Sequence, residues 1–216
     1  ALSRVDLGSV APDLRGSVTG RVSLRGAGER LEGSANLDLA DLRSIDAPRG
    51  LAVDGAVNAT LTDGALRIVA DARDEGAVTA SADVTLPVEA SAAPFRLAIA
   101  RTRDMSGQVS IQGQIQPIWD LFLGGERSLA GEVDVNARLA GSLNAPRVNG
   151  RLNLRNGSFH DRGTGLRLNA VTLSSRFDDT TALIETFSAN DDGRGTVSGD
   201  GRLGLRQGSG SSFQLT

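Results

Sequence analysis

A two-residue alternation of apolar and polar residues recurs along the whole chain and constrains its fold more than any other feature. In residues 132–139 (Glu-Val-Asp-Val-Asn-Ala-Arg-Leu) every odd position is apolar and every even position is polar. Residues 18–24, 35–39, 57–61 and 166–170 show the same pattern. Because successive side chains of a strand point to opposite faces, the pattern predicts β-strands with one apolar and one polar face.

Short polar breaks separate the alternating runs. Examples are Thr62-Asp63-Gly64, Asn156-Gly157-Ser158 and Asp178-Asp179. Breaks that carry Gly, Asn or Asp are typical of hairpin turns, which join antiparallel neighbours. With about 5–8 residues per strand, we expect about fourteen to sixteen strands.

Composition supports an all-β fold and argues against some classes of binding partner. The chain has 27 Gly among 216 residues, and each Gly inside a helix would cost about 1 kcal/mol relative to Ala. Aromatic residues make up 3%, so any core consists mainly of aliphatic side chains. The net charge of -3 comes from interspersed signs, which argues against nucleic acid as a partner, and the absence of Cys excludes disulfides and thiolate metal sites.

The sequence contains two related copies of one strand module. Residues 14–26 align with residues 129–141, and matching Gly and apolar positions continue towards the end of each copy. Such internal similarity is expected of an extended sheet in which each unit hides its apolar face only against its neighbours. We therefore divide the chain into a first module (1–115), a connector (116–128) and a second module (129–216).

The connector interrupts the alternation. Pro117 suits a first helical turn, Gly124-Gly125 suits a helix end, and the apolar residues between them fall on one side of a helix. We predict a short helix near residues 117–123, which either covers a sheet edge or core, or lies in or against a groove.

The apolar positions of the second module are the candidate lining of a groove. If the sheet curls around an open trough, burial against these residues would stabilise a bound acyl chain by about 0.8 kcal/mol per methylene. In the alternative, a closed sandwich, the same side chains pack on one another. The candidate residues are Val133, Val135, Leu139, Leu152, Leu154, Leu166, Leu168, Leu173, Phe177, Leu183, Phe187, Val197, Leu203 and Leu205.

Several motifs with catalytic or metal-binding potential lack the context that their chemistry needs. Residues 199–204 spell a GxGxxG, but the strand alternation continues through Leu203 instead of opening a helix. His160 has no second nitrogen or thiolate ligand nearby in sequence, and we interpret Asp178-Asp179 and Asp191-Asp192 as turn residues. We predict no enzyme activity, no metal and no cofactor.

The second module resembles the TamB family of AsmA-like periplasmic proteins. The resemblance rests on the Gly131 strand, Gly141, Pro146 and Gly150, and it continues through Asn156-Gly157 to the Gly and Val positions of residues 193–199. It covers residues 117–216 and extends to residues 14–115 through the internal repeat. It implies a taco-shaped open β-groove with an apolar interior, in a periplasmic protein whose inner-membrane anchor lies outside these residues.

The same resemblance implies a function at the cell envelope. We expect a protein that binds or conducts phospholipid between the inner and outer membranes and supports outer-membrane biogenesis. One alternative is a scaffold whose exposed strand edges bind amphipathic polypeptides during outer-membrane protein assembly with a TamA-type barrel. Another is a structural, adhesin-like β-repeat.

Overall fold

A computed structural model describes residues 2–9, 12–47, 52–74, 78–191, 193, 195–205 and 211–215 of the chain. The predicted all-β class is confirmed, and the fourteen strands of the described residues agree with the expected number. The predicted connector helix is also present. The elements are β1 (Leu2–Asp6), β2 (Leu14–Ala27), β3 (Arg30–Ser44), β4 (Val53–Thr62), β5 (Ala65–Asp74), β6 (Val78–Ala92), β7 (Phe95–Ile99), β8 (Ser106–Gln114), α1 (Gln116–Leu123), β9 (Arg127–Ser142), β10 (Ala145–Asp161), β11 (Arg167–Asp178), β12 (Thr181–Asn190), β13 (Thr196–Gly204) and β14 (Ser211–Leu215).

The strands form one antiparallel sheet in chain order. The path runs β1-β2-β3-β4-β5-β6-β8-β9-β10-β11-β12-β13-β14, and β7 leaves this path to pair with the last residues of β6. The two sequence modules share this sheet, because β8 pairs with β9 from Gly107 to Gln114. The internal repeat is therefore not accompanied by a break in the sheet.

Cross-strand register gathers the apolar residues on one face. Residues paired across neighbouring strands share a face, so a row of partners can be followed through eleven strands. On the apolar face one such row reads Gly20, Leu37, Val57, Ala70, Ala82, Val109, Ala137, Gly150, Phe177, Ala182 and Leu203. The adjacent row on the polar face reads Thr19, Asp38, Ala56, Asp71, Ser81, Ser110, Asn136, Arg151, Arg176, Leu183 and Arg202.

The sheet is curled, with its apolar face on the inside. The connection after β3 reaches the connection before β9, since a Cβ on Gly124 would lie 2.8 Å from the Cβ of Ala47. In a flat sheet, strands five positions apart would be about 24 Å from each other. Glycines on the apolar face permit the bend, because a Cβ at Gly55 or Gly107 would lie 2.7 or 2.8 Å from a carbonyl oxygen of the neighbouring strand.

The curl does not close the sheet into a sandwich. The chain exposes 13317 Å², whereas a compact monomer of 22.4 kDa would expose about 9,400 Å². Large hydrophobic side chains remain exposed, among them Phe95, Phe122 and Leu203. The predicted open, curled sheet is thus the observed architecture.

One predicted turn is wrong. Asn156-Gly157-Ser158 lies inside β10, which continues to Asp161, and the register with β9 and β11 shifts at this point. Asn156 adopts a left-handed conformation with φ 50°, which accommodates a β-bulge. The turn chemistry of this tripeptide therefore bends a long strand instead of ending it, whereas Asp63-Gly64 does form a turn.

We expect Gly107→Ala to destabilise the fold by about 1–3 kcal/mol, because its Cβ would press on the backbone of β6 at a bend. Urea unfolding followed by far-UV circular dichroism measures the change. Gly8→Ala is the matched control, since its Cβ would meet its nearest atom at an ordinary 3.4 Å. Equal stability of the two variants would contradict the role assigned to Gly107 in the curl.

Candidate functional site

Helix α1 lies across one end of the apolar face and contacts both sides of the curl. Trp119 anchors it to the second half of the sheet, where its Nε1 donates to the Arg127 carbonyl oxygen at 3.1 Å and its ring meets Phe159 edge-on at 6.4 Å. Leu121 packs with Leu42 and Val53 of the first half. In the described part of the chain, no helix is long and apolar enough to cross a membrane.

An apolar groove of about 240 Å³ lies between α1 and strands β3 to β8. Small residues form its floor, which is why space remains there: Gly55, Ala70, Ala72, Ala80 and Ala82. Larger side chains form its walls and its roof. These are Leu39, Leu42, Val53, Val57, Val109 and Ile111 on the sheet, and Ile118, Leu121 and Phe122 on α1.

Phe122 marks the mouth of the apolar groove. It lines the groove, yet 72% of its surface is exposed. Its neighbour Leu121 is buried, with 8% exposed. The groove therefore opens to solvent beside the C-terminal turn of α1.

A hairpin covers the opposite end of the apolar face. Strand β6 pairs with β5 and β8 over its first part, and its last five residues pair with β7 instead. Val88 of this second part packs on Leu31 and Leu61, and the Ala92 backbone N–H donates to the Glu29 carbonyl oxygen at 3.0 Å. We call residues 88–99 the lip, because they overhang the apolar face at its end.

The predicted groove lining in the second module is partly a packed cluster. Val133 and Leu154 are buried together with Val171 and Ala189. Five further members of the predicted lining pack against them: Val135, Leu168, Leu173, Phe187 and Val197. These side chains come from adjacent strands, β9 to β13, and pack side by side along the apolar face.

Other members of the predicted lining lie outside that cluster. Leu139, Leu152, Phe177 and Leu203 pair with residues of the apolar face, and Leu203 is 39% exposed. Leu166 and Leu205 lie outside the strands, and Leu166 is 47% exposed. The apolar groove under α1 is lined by none of the fourteen predicted residues.

Leu183 requires a correction. It pairs with Arg176 on one side and Arg202 on the other, and so belongs to the polar face. The register shifts between Ser174 and Ser175, which adds a residue to β12 and reverses the facing expected from simple alternation. Ser175, which lies next to this shift, is buried on the apolar face, where its hydroxyl donates to the Leu183 carbonyl oxygen at 3.0 Å.

Sequence alternation does not reveal the apolar groove, because the floor of the groove consists of Ala and Gly. These residues alternate with polar ones as larger hydrophobics do, and the alternation alone treats them as equivalent. A signal was present in the run of small residues at the inward positions of β5 and β6, namely Ala70, Ala72, Ala80 and Ala82. Neighbouring strands with small inward residues indicate a gap that larger residues elsewhere would fill.

A concavity of about 710 Å³ lies on the polar face across β5 to β10. Its lining includes Asp83, Gln108, Asn136 and Arg138. A twisted sheet is saddle-shaped, so each face is concave along one diagonal. Hydrogen-bonding side chains line this concavity, so it does not provide an apolar ligand with the environment that the groove under α1 provides.

Two carboxylates beside α1 have opposite environments. Burial raises the pKa of Asp120, although Gln116 and Arg162 act in the other direction. The pKa of Asp161 is lowered because its carboxylate accepts from the backbone N–H of Thr164 at 3.1 Å, from Arg127 at 3.2 Å and from the Gly163 N–H at 2.9 Å. Asp161 thus fixes the turn after β10 next to the start of β9.

A comparison of the chain with protein-family models, with curated proteins and with solved structures finds no match. The resemblance to the TamB family therefore stays a prediction from the sequence.

We expect Asp120→Asn to stabilise the protein at neutral pH. Because the pKa of Asp120 is higher in the folded state than in the unfolded state, the protein loses stability as pH rises and this carboxyl group ionises. The uncharged side chain of Asn does not ionise, so the variant does not lose this stability. The gain disappears at pH values below the ordinary aspartate pKa. Thermal unfolding between pH 3 and pH 8 measures it.

Asp161→Asn is the control with the opposite sign. The lowered pKa of Asp161 contributes stability above the ordinary aspartate range, which is lost as pH falls through the folded-state value. This variant should therefore be less stable than the unmodified chain at neutral pH, and the difference should shrink in acid. The same direction of change in both variants would contradict the assigned environments.

Proposed function

We propose that this chain holds phospholipid acyl chains on its apolar face, as part of a periplasmic protein that conducts phospholipid between two membranes. The proposal joins the sequence resemblance to the TamB family with the apolar groove under α1. The observation that carries it is an apolar face that runs across eleven strands and is only partly covered by other parts of the chain.

Acyl chains suit this surface for a physical reason. A methylene transferred from water to an apolar environment gains about 0.8 kcal/mol, and this gain needs no directional partner. The groove floor and walls present aliphatic side chains, with Phe122 at the mouth. A tail can therefore bind without a fixed register, which suits a ligand that moves along the sheet.

The wider roles are proposals as well. Support of outer-membrane biogenesis, an inner-membrane anchor and a TamA-type barrel partner follow from the resemblance alone. The alternative of a strand-edge scaffold for amphipathic polypeptides and that of an adhesin-like repeat stay predictions.

Ala82→Leu should weaken lipid binding in the groove by filling its floor. Displacement of two methylenes, at about 0.8 kcal/mol each, lowers affinity about tenfold. Phospholipid that copurifies with the chain is extracted and quantified by mass spectrometry, and titration with the fluorescent fatty acid cis-parinaric acid gives the affinity.

Ala56→Leu is the matched control, because Ala56 occupies the polar face between Asp38 and Asp71. It should keep the lipid content and affinity of the unmodified chain. A chain that carries no lipid and binds no fatty acid, or equal binding by both variants, would refute the proposal.

Leu203→Arg tests passage along the second half of the sheet. Leu203 is on the apolar face and 39% exposed, so the substitution places a charge on the path while removing little packing. We expect slower transfer of a fluorescent phospholipid between donor and acceptor vesicles. Leu183→Arg makes the same change on the polar face and should leave transfer unchanged; a slowing by both variants, or by neither, counts against conduction along this face.

A further inference from the structure

We propose that the lip binds an anionic phospholipid surface and so places the open apolar face against a membrane. This inference rests on the proposed function, because it assigns the place where lipid enters or leaves. The lip comprises the end of β6, the turn after it and β7.

The lip exposes large hydrophobic side chains in a row. Phe95, Leu97 and Ile99 are 67%, 48% and 47% exposed, and they occupy alternate positions of a five-residue strand. Strand β7 pairs with β6 alone among the described strands. Apolar side chains at the end of an exposed hairpin can insert into the boundary between headgroups and acyl chains.

The row faces the same side as the apolar face of the sheet. Ile99 pairs with Val88, which is buried on Leu31 and Leu61. Leu97 lines an apolar crevice together with Val22 and Leu24 of β2, which are themselves 53% and 50% exposed. An acyl chain leaving the apolar face at this end would thus meet further apolar surface before it meets water.

The charge of the segment fits an anionic surface. The lip together with the turn after it, residues 88–104, contains Arg96, Arg101 and Arg103 against Glu89 and Asp104, a net charge of +1 in a chain whose net charge is -3. All three arginines are exposed. Arg96 reaches Glu89 at 3.4 Å. Each basic residue near an anionic bilayer contributes about 1 kcal/mol of attraction.

Phe95→Ser with Ile99→Ser tests the apolar part of the contact. Flotation with vesicles of phosphatidylcholine and phosphatidylglycerol in a 3:1 ratio should show an about tenfold weaker partition of this variant. The matched control is Ile45→Ser with Leu123→Ser, two residues at the α1 end that are 43% and 59% exposed. The control should partition like the unmodified chain.

Arg101→Gln with Arg103→Gln tests the charge. Partition should fall about tenfold, and the unmodified chain should bind vesicles of phosphatidylcholine alone, or any vesicle in 0.5 M salt, comparably weakly. Ala82→Leu should partition normally, because it changes the groove and not the lip. Vesicle binding and lipid content are thus separate readouts, so failure of the proposed function would leave the vesicle result intact.

Three outcomes would overturn the inference. The first is unchanged partition of the lip variant or equal loss by the α1-end control. The second is equal binding to neutral and anionic vesicles. The third is a dimer in sedimentation velocity that the lip substitutions dissolve in the absence of vesicles, which would make the lip an interface between copies of the chain.

Discussion

Neighbouring strands pair continuously from β2 to β13, and this pairing decides which side chains share a face. Because side chains alternate along each strand, the pairing of residues with the same facing turns a one-dimensional pattern into a continuous apolar surface. The row from Gly20 to Leu203 shows how far this continuity extends. Curl, groove and lip all follow from the need to shield part of that surface from water.

Shielding is achieved differently in the two halves. In the second half, side chains of adjacent strands such as Val133, Leu154 and Val171 pack on one another and bury themselves. In the first half, small inward residues leave a gap, and separate elements lie over it. Helix α1 covers one end through Leu121, and the lip covers the other through Val88.

Exposed apolar side chains concentrate near these two covering elements. Phe122 and Leu123 belong to α1, whereas Phe95, Leu97 and Ile99 belong to the lip. An element that covers an open apolar face packs apolar side chains against it. At the edge of such an element, some apolar side chains stay exposed because nothing further covers them. The ends of this sheet are therefore the places where its apolar face is accessible from solvent.

The sequence by itself determined the strand class, the antiparallel order, the connector helix and the apolar or polar facing of most strand residues, because these depend on local alternation and turn chemistry. It did not determine the facing of Leu183 or the role of Asn156-Gly157, because a bulge adds one residue and local alternation does not reveal it. Only the tertiary structure decided where the apolar residues pack together and where a groove remains. That outcome depends on curvature and on the packing of side chains such as Leu42 and Leu121, which come from elements distant in sequence and meet only when the sheet is formed.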